Sequence, residues 1–225
     1  MRGGTMRRDP GPPSKRTVAT PYGPARAHLW TPAGAIGALV LGHGAGGSSW
    51  SADLLALTSL ASRTGGTAWQ VVLVEQPWRV AGRRVAAPPP HLDAAWLAVL
   101  ASLTRGPRRI AAPRVLGGRS AGARVACRTA RHAGADAVLA LAFPLHPPGK
   151  PGRSRGTELA GALIGPPPLP TLVVQGRRDP FGTPDEIAAA VPGVPIVEVA
   201  GTHSFAAPQD DVIPAVTGWL DGLGR

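Results

Sequence analysis

Gly118-Arg119-Ser120-Ala121-Gly122 is the stretch that most restricts how this chain can fold. It follows a short apolar run, Val115-Leu116-Gly117, and leads into a helix-like run from Ala121 to Ala133. A serine between two glycines at a strand-to-helix junction has a mechanical meaning. The glycines let the backbone reverse sharply, so the hydroxyl stands exposed beyond the strand while its own backbone is strained. Glycine is abundant here, at 30 of 225 residues, so the pentapeptide alone carries limited weight. It gains weight if an acid and a base follow at comparable places.

They do. Thr171-Leu172-Val173-Val174-Gln175-Gly176 reads as a buried strand and runs into Arg177-Arg178-Asp179-Pro180. Pro180 biases Asp179 away from helical geometry, which suits a loop residue. A further strand, Pro195-Ile196-Val197-Glu198-Val199, leads to Ala200-Gly201-Thr202-His203-Ser204-Phe205. In parallel α/β sheets, sites form beyond the carboxyl ends of the strands. Ser120, Asp179 and His203 all fall at such ends, and they are the residue types of nucleophilic acyl transfer. Taken singly, Asp179 reads as a turn former and His203 as a surface loop residue; their joint placement with Ser120 favours the catalytic reading. Asp185, Asp210 and Asp211 are better explained by helix starts. His146, in a proline-rich loop, is the rival base, but it precedes the acid in the chain.

A fourth component lies upstream. Ile36–Leu41 reads as a buried strand followed by Gly42-His43-Gly44-Ala45-Gly46-Gly47. A glycine-rich loop in that position can aim a backbone N–H at a developing oxyanion. The expected donors are Ala45, with Gly46 as the less favoured choice, and Ala121 directly after the serine. No Lys-Ser/Thr follows the glycines, so this is not a Walker loop. A dinucleotide fingerprint lacks its acidic partner at the right spacing, Glu75 aside. His43 is expected to shape the loop rather than act as the base.

Around these motifs, strands and helices alternate. Strands are expected at 16–20, 26–29, 36–41, 68–75, 115–117, 137–142, 171–176 and 195–199. Helices are expected near 50–63, closed by Gly65-Gly66, and at 91–103, 121–133, 158–164 and 184–190, with a last one carrying Val212, Val216, Trp219, Leu220 and Leu223. Residues 76–90 and 143–155 read as loops. Nearly all-apolar strands between amphipathic helices predict an α/β fold with a mainly parallel sheet covered on both faces. Residues 1–15, rich in Gly, Pro and Arg, read as a disordered basic tail, and 16–225 as one domain.

A formal charge of +11 raises the question of nucleic acid. The charge is scattered, however, and zinc-finger spacing, a basic helix and an aromatic RNA platform are all missing from the sequence. No nucleic-acid partner is therefore expected. Cys127 is the sole cysteine, so no intrachain disulfide can form, and no Cys/His cluster points to a metal. No metal or organic cofactor is expected. The basic N-terminus lacks a following apolar stretch, and no run reaches the roughly 18 apolar residues of a membrane span. A soluble, cytoplasmic protein with no membrane partner is the expectation.

Leu-Gly-His-Gly-Ala-Gly-Gly at 41–47, Gly-Gly-Arg-Ser-Ala-Gly at 117–122 and Phe143-Pro144-Leu145-His146-Pro147-Pro148-Gly149-Lys150-Pro151 together carry a resemblance. The chain resembles the α/β-hydrolase superfamily, in its small branch without an inserted cap domain, from about residue 17 to 222. Within that branch it is similar to dienelactone hydrolases and to the hydrolase-like domains of an animal testis-expressed protein and a chromatin-complex subunit. The order Ser120, Asp179, His203 is the order the superfamily uses. The resemblance implies a capless α/β-hydrolase fold and a serine esterase acting on a small ester, thioester or lactone. Dienelactone hydrolases use a cysteine nucleophile where this chain has Ser120, so their activity is not carried over. Ala121 stands where many relatives have a larger residue, which would open space beside the nucleophile. Arg79, Arg119, Lys150, Arg153 and Arg155 are expected near the same face, the last four as contacts for a substrate carboxylate or phosphate; the competing reading of these charges is a solvated basic loop. The rival function is a non-catalytic binding or scaffold protein on the same fold.

Overall fold

The computed structural model describes residues 10–46, 50–63 and 67–223. Most of the expected basic tail, at 1–9, and the expected helix stop at Gly65-Gly66 lie outside the described residues. The strands are β1 (Ser14–Val18), β2 (Ala25–Trp30), β3 (Ala38–Gly42), β4 (Gln70–Glu75), β5 (Arg114–Arg119), β6 (Ala137–Leu141), β7 (Thr171–Gly176) and β8 (Ile196–Val199). The helices are α1 (Ala52–Leu57), α2 (Pro77–Val80), α3 (Pro89–Leu103), α4 (Ala121–Thr129), α5 (Gly156–Leu163), α6 (Pro184–Ala190) and α7 (Val212–Leu223), with a 3₁₀ turn at Thr58–Ser62.

All eight strands share one sheet in the order β1-β2-β4-β3-β5-β6-β7-β8. Strands β3 to β8 run parallel, while β1 and β2 pair antiparallel with each other and β2 antiparallel with β4. The mainly parallel sheet is as expected. Three local differences have simple causes. Strand β1 begins at Ser14 instead of residue 16, because pairing with β2 extends order into the basic segment. The helix expected at 50–63 tightens into a 3₁₀ turn after Leu57. Within the expected 76–90 loop, Pro77 starts the short helix α2, its fixed φ suiting a first helical turn.

Period-two alternation sends each strand's side chains to opposite faces. Ala38, Val40, Leu116, Val138 and Val173 pack with Trp96 of α3, Val125 of α4, Leu159 of α5 and Ile187 of α6. Leu39, Leu41, Leu73, Val115, Leu139 and Val174 pack on the other side with Leu54 and Leu57 of α1 and Val212, Val216 and Leu220 of α7. Part of the arginine excess staples helices on the first face. Arg124 and Arg128 hold Glu158 of α5 at 2.6 and 2.7 Å, and Arg128 also holds Asp93 of α3 at 2.6 Å. Cys127 is buried, and burial pushes its thiol up to about 12, which makes it an inert core residue.

Helix α4 lies unusually tight against β3, and the contact is made by glycines. A side chain carbon at Gly122 would collide with the Gly42 carbonyl, and one at Gly118 would lie 2.5 Å from the same oxygen. Gly122→Ala should therefore force α4 off the sheet and cost about 3 kcal/mol, the upper range for overpacking. Urea denaturation monitored by circular dichroism reads this; a change within about 0.5 kcal/mol, the level of an ordinary surface substitution, would contradict it.

Candidate active site

Strands β3, β5, β7 and β8 deliver their C-terminal ends to one edge of the sheet, and the candidate residues meet there. Ser120 follows β5 and precedes α4 with φ 54° and ψ −112°, a backbone strained for any residue with a side chain. Its N–H donates to Leu141 O of β6 at 2.9 Å, which helps hold the turn. Asp179 sits in the turn after β7 and His203 in the loop after β8.

His203 Nε2 lies 2.9 Å from Ser120 Oγ, and His203 Nδ1 lies 2.8 Å from Asp179 Oδ2. A carboxylate can only accept, so the proton of a neutral His203 resides on Nδ1. That leaves the Nε2 lone pair to accept from the serine hydroxyl. Asp179 is itself fixed from three sides. Its Oδ2 also accepts from Gln175 Nε2 at 2.9 Å, and its Oδ1 accepts from Phe181 N–H at 2.8 Å. The carboxylate is about 1% exposed, a burial that calls for such partners. The Phe181 ring packs on the imidazole with centroids 4.3 Å apart.

Gln175 went unnoticed in the sequence, although a glutamine inside the apolar run of β7 is the signal of a buried polar task. Its two amide N–H groups serve Asp179 Oδ2 at 2.9 Å and Gly182 O at 2.7 Å, with Phe143 O more distant at 3.3 Å, and its oxygen accepts from Phe143 N–H at 2.8 Å. The rival base His146 is elsewhere: its Nε2 faces Glu186 at 3.4 Å and its Nδ1 faces Pro147 O. Asp185 lies exposed in the first turn of α6, where Thr183 and Glu186 provide the cap.

The glycine-rich loop after β3 is set by His43. Gln76 N–H donates to His43 Nε2 at 3.1 Å, so Nδ1 carries the proton and donates to Gly44 O at 2.8 Å. Arg79, stacked over Trp78, also reaches Gly44 O at 3.5 Å. Fixing that carbonyl fixes the Gly44–Ala45 peptide plane, and with it the direction of the Ala45 N–H. Ala121 is the first residue of α4, so its N–H has no acceptor within the helix. Beside Ala121 lies a narrow apolar recess lined by Gly44, Trp78, Leu92, Trp96, Ala121 and Val125.

Of the four basic residues expected to face a substrate, Arg119 and Arg155 are engaged by protein groups. Arg119 Nε faces Asp53 Oδ2 at 3.3 Å, and its Nη2 donates to the His203 carbonyl. Arg155 donates to Pro144 O at 2.9 Å. Lys150 and Arg153 are exposed on the 143–155 loop. Among the described residues no cluster of three or more His, Cys, Asp or Glu is arranged to hold a metal, and no helix is long and apolar enough to cross a membrane.

Residues 35–211 match a family described as an alpha/beta hydrolase domain. Among solved structures, an alpha-beta serine hydrolase homologue from Coxiella burnetii superposes with a TM-score of 0.71 at 16% identity, covering 91% of this chain and 96% of that one. A serine hydrolase without a lid from Xanthomonas campestris gives 0.69 at 19% identity, over 95% and 96% of the two chains. A dienelactone hydrolase from Anabaena variabilis gives 0.68 at 16% identity, over 94% and 99%. No curated protein sequence matches. At these identities the structural likeness establishes the fold, a capless α/β-hydrolase fold.

Burial drives the ordinary histidine value of 6.5 down to about 4 at His43, with the Arg79 charge adding to the effect. Folded protein thus declines a proton that the unfolded chain takes up below about pH 6.5. The unfolded state binds more protons between about pH 6.5 and 4, so stability falls as pH falls through that window. His28, also lowered chiefly by burial, acts in the same direction. The loss between pH 7 and 4 should be smaller by about 3 kcal/mol in His43→Gln than in the wild type. Urea titrations at the two pH values measure it; equal losses would mean that His43 protonates freely in the folded state.

Proposed function

The chain belongs to the alpha/beta hydrolase domain family, and from that premise we propose that it is a serine hydrolase cleaving small carboxylic esters, thioesters or lactones. The observation that carries this reading is the hydrogen-bonded series Ser120–His203–Asp179, anchored on a serine with φ 54°. Ser120 Oγ attacks the substrate carbonyl as His203 Nε2 takes its proton. Asp179 holds the ring in the Nδ1–H tautomer and stabilises the imidazolium that forms. Negative charge developing on the carbonyl oxygen is received by the N–H groups of Ala45 and Ala121. One such donor is typically worth about 3 kcal/mol of barrier. The positive end of the α4 dipole lies at the same place. The tetrahedral intermediate collapses as the imidazolium protonates the leaving oxygen or sulfur, and the acyl group remains on Ser120. Water then enters, gives a proton to His203 Nε2 and attacks the acyl carbonyl, and the second collapse returns the proton to Ser120.

The recess beside Ala121 leaves about 10 Å³ of free volume, roughly the room of one water-sized group, so it suits a methyl-sized acyl end and not a long chain. Trp78, Leu92 and Trp96 make its wall apolar, which favours a short hydrocarbon chain over a charged one. We expect p-nitrophenyl acetate to be turned over with a higher kcat/KM than the octanoate ester; the reverse order, measured below the critical micelle concentration, would show that the recess does not hold the acyl chain.

Ser120→Ala should abolish both turnover of the acetate ester and covalent labelling by a fluorophosphonate probe. Thermal melting should stay close to that of the wild type, since only one hydroxyl is removed. Absence of labelling in the wild type itself would defeat the serine-hydrolase reading and leave a binding protein on a hydrolase fold. Labelling that persists in Ser120→Ala would identify a different nucleophile.

A further inference from the structure

We propose that Arg119, braced by Asp53, is a positioning residue that sets the His203 loop and the oxyanion loop in register about Ser120. The proposal rests on the serine-hydrolase reading of Ser120, His203 and Asp179. Arg119 is the residue immediately before the serine, and its guanidinium meets three separate segments. Its Nε faces Asp53 Oδ2 at 3.3 Å on α1. Its Nη2 donates to the His203 carbonyl at 2.5 Å, with Ser204 Oγ at 3.5 Å. Its Nη1 lies beside the glycine-rich loop, 3.6 Å from where a side chain carbon on Gly44 would stand.

The environment marks this arrangement as specific. The Asp53 side chain is 3% exposed and that of Arg119 13%. Buried ion pairs of this kind often contribute little to net stability, because desolvation offsets the attraction. What the pair supplies is direction. A guanidinium is a rigid planar fork of five donors that stays charged, so the Asp53 charge drawn against its Nε edge turns its Nη edge toward the His203 carbonyl. The imidazole is held from one side by Asp179 and its backbone from the other by Arg119. Loss of the second hold frees the loop to shift, and a displacement of about 1 Å can cost 100-fold in rate. Arg119 acts through His203 and Gly44, not by touching substrate, so the loss should fall on kcat and not on KM.

The test compares wild type, R119Q, R119K, D53N and S120A with p-nitrophenyl acetate and a fluorophosphonate probe. R119Q should lower kcat about 10- to 100-fold with KM changed less than about twofold, and should slow labelling in parallel. R119K keeps the charge but loses the fork, so it should recover only part of the rate. D53N should give a smaller loss of the same kind. If R119Q does not fold because the Asp53 carboxylate is stranded, D53N/R119Q carries no orphaned charge and gives the same readout. Unchanged kcat in these variants overturns the proposal, as does a rise in KM with kcat intact, which would make Arg119 a substrate contact. The low-field proton resonance of His203 Nδ1–H provides a readout independent of turnover: it should shift or broaden in R119Q, and an unaltered resonance would also overturn the proposal. A wild type that shows the resonance but neither turnover nor labelling would refute the serine-hydrolase reading while leaving the positioning role to be judged on the resonance alone.

Discussion

The approach of α4 to the sheet through Gly122 and Gly42 is the contact on which the rest of the active edge depends. Backbone meets backbone there, with no side chain between. This closeness sets where α4 begins, and therefore where Ser120 and the Ala121 N–H stand relative to the loop after β3. A helix displaced by the width of a methyl group would carry both away from Gly44. The strain at Ser120, with φ 54°, is tolerated because the surrounding structure leaves the chain no relaxed alternative. Its N–H is bonded to Leu141 O, α4 is packed against β5 and β6, and Gly118 permits the tight crossing.

The second theme is polar burial. Asp179, Gln175, His43 and Asp53 are all nearly excluded from solvent. Each would be costly there without partners; Asp179, Gln175 and His43 are placed by their hydrogen bonds, and Asp53 faces the Arg119 charge. Gln175 ties Asp179 to the backbone at Phe143 and Gly182. His43 joins Gln76 to Gly44. The site is thus oriented by a set of buried hydrogen bonds around a sheet that is otherwise apolar.

Much of the scaffold could be read from the chain because strands of five or six apolar residues, glycine-rich turns and amphipathic helices leave local traces. The 171–176 strand and the 184–190 helix appear with the expected bounds. Ser120, Asp179 and His203 were visible as candidates because each follows a strand. Other features left no such trace. That β1 and β2 run antiparallel depends on pairing across the sheet, which periodicity does not encode. The short helix α2 is hidden among prolines and glycines. The ion pair of Arg119 with Asp53 left none either, since nothing in the neighbouring sequence announces Asp53, brought to it by the packing of α1. The same holds for Arg155 and its carbonyl partner Pro144.

The sheet order also bears on how the molecule comes into being. Ser120 and His203 are 83 residues apart, and their meeting requires β5, β6, β7 and β8 to dock side by side. During synthesis the elbow and the glycine-rich loop emerge first, and the segment bearing the imidazole arrives late. Contacts so distant along the chain close slowly, because loop entropy must be overcome before they form. A nascent or partly refolded molecule can therefore hold most of its sheet while the serine still lacks its base, and the full hydrogen-bonded series marks completion of the fold more sharply than secondary structure does.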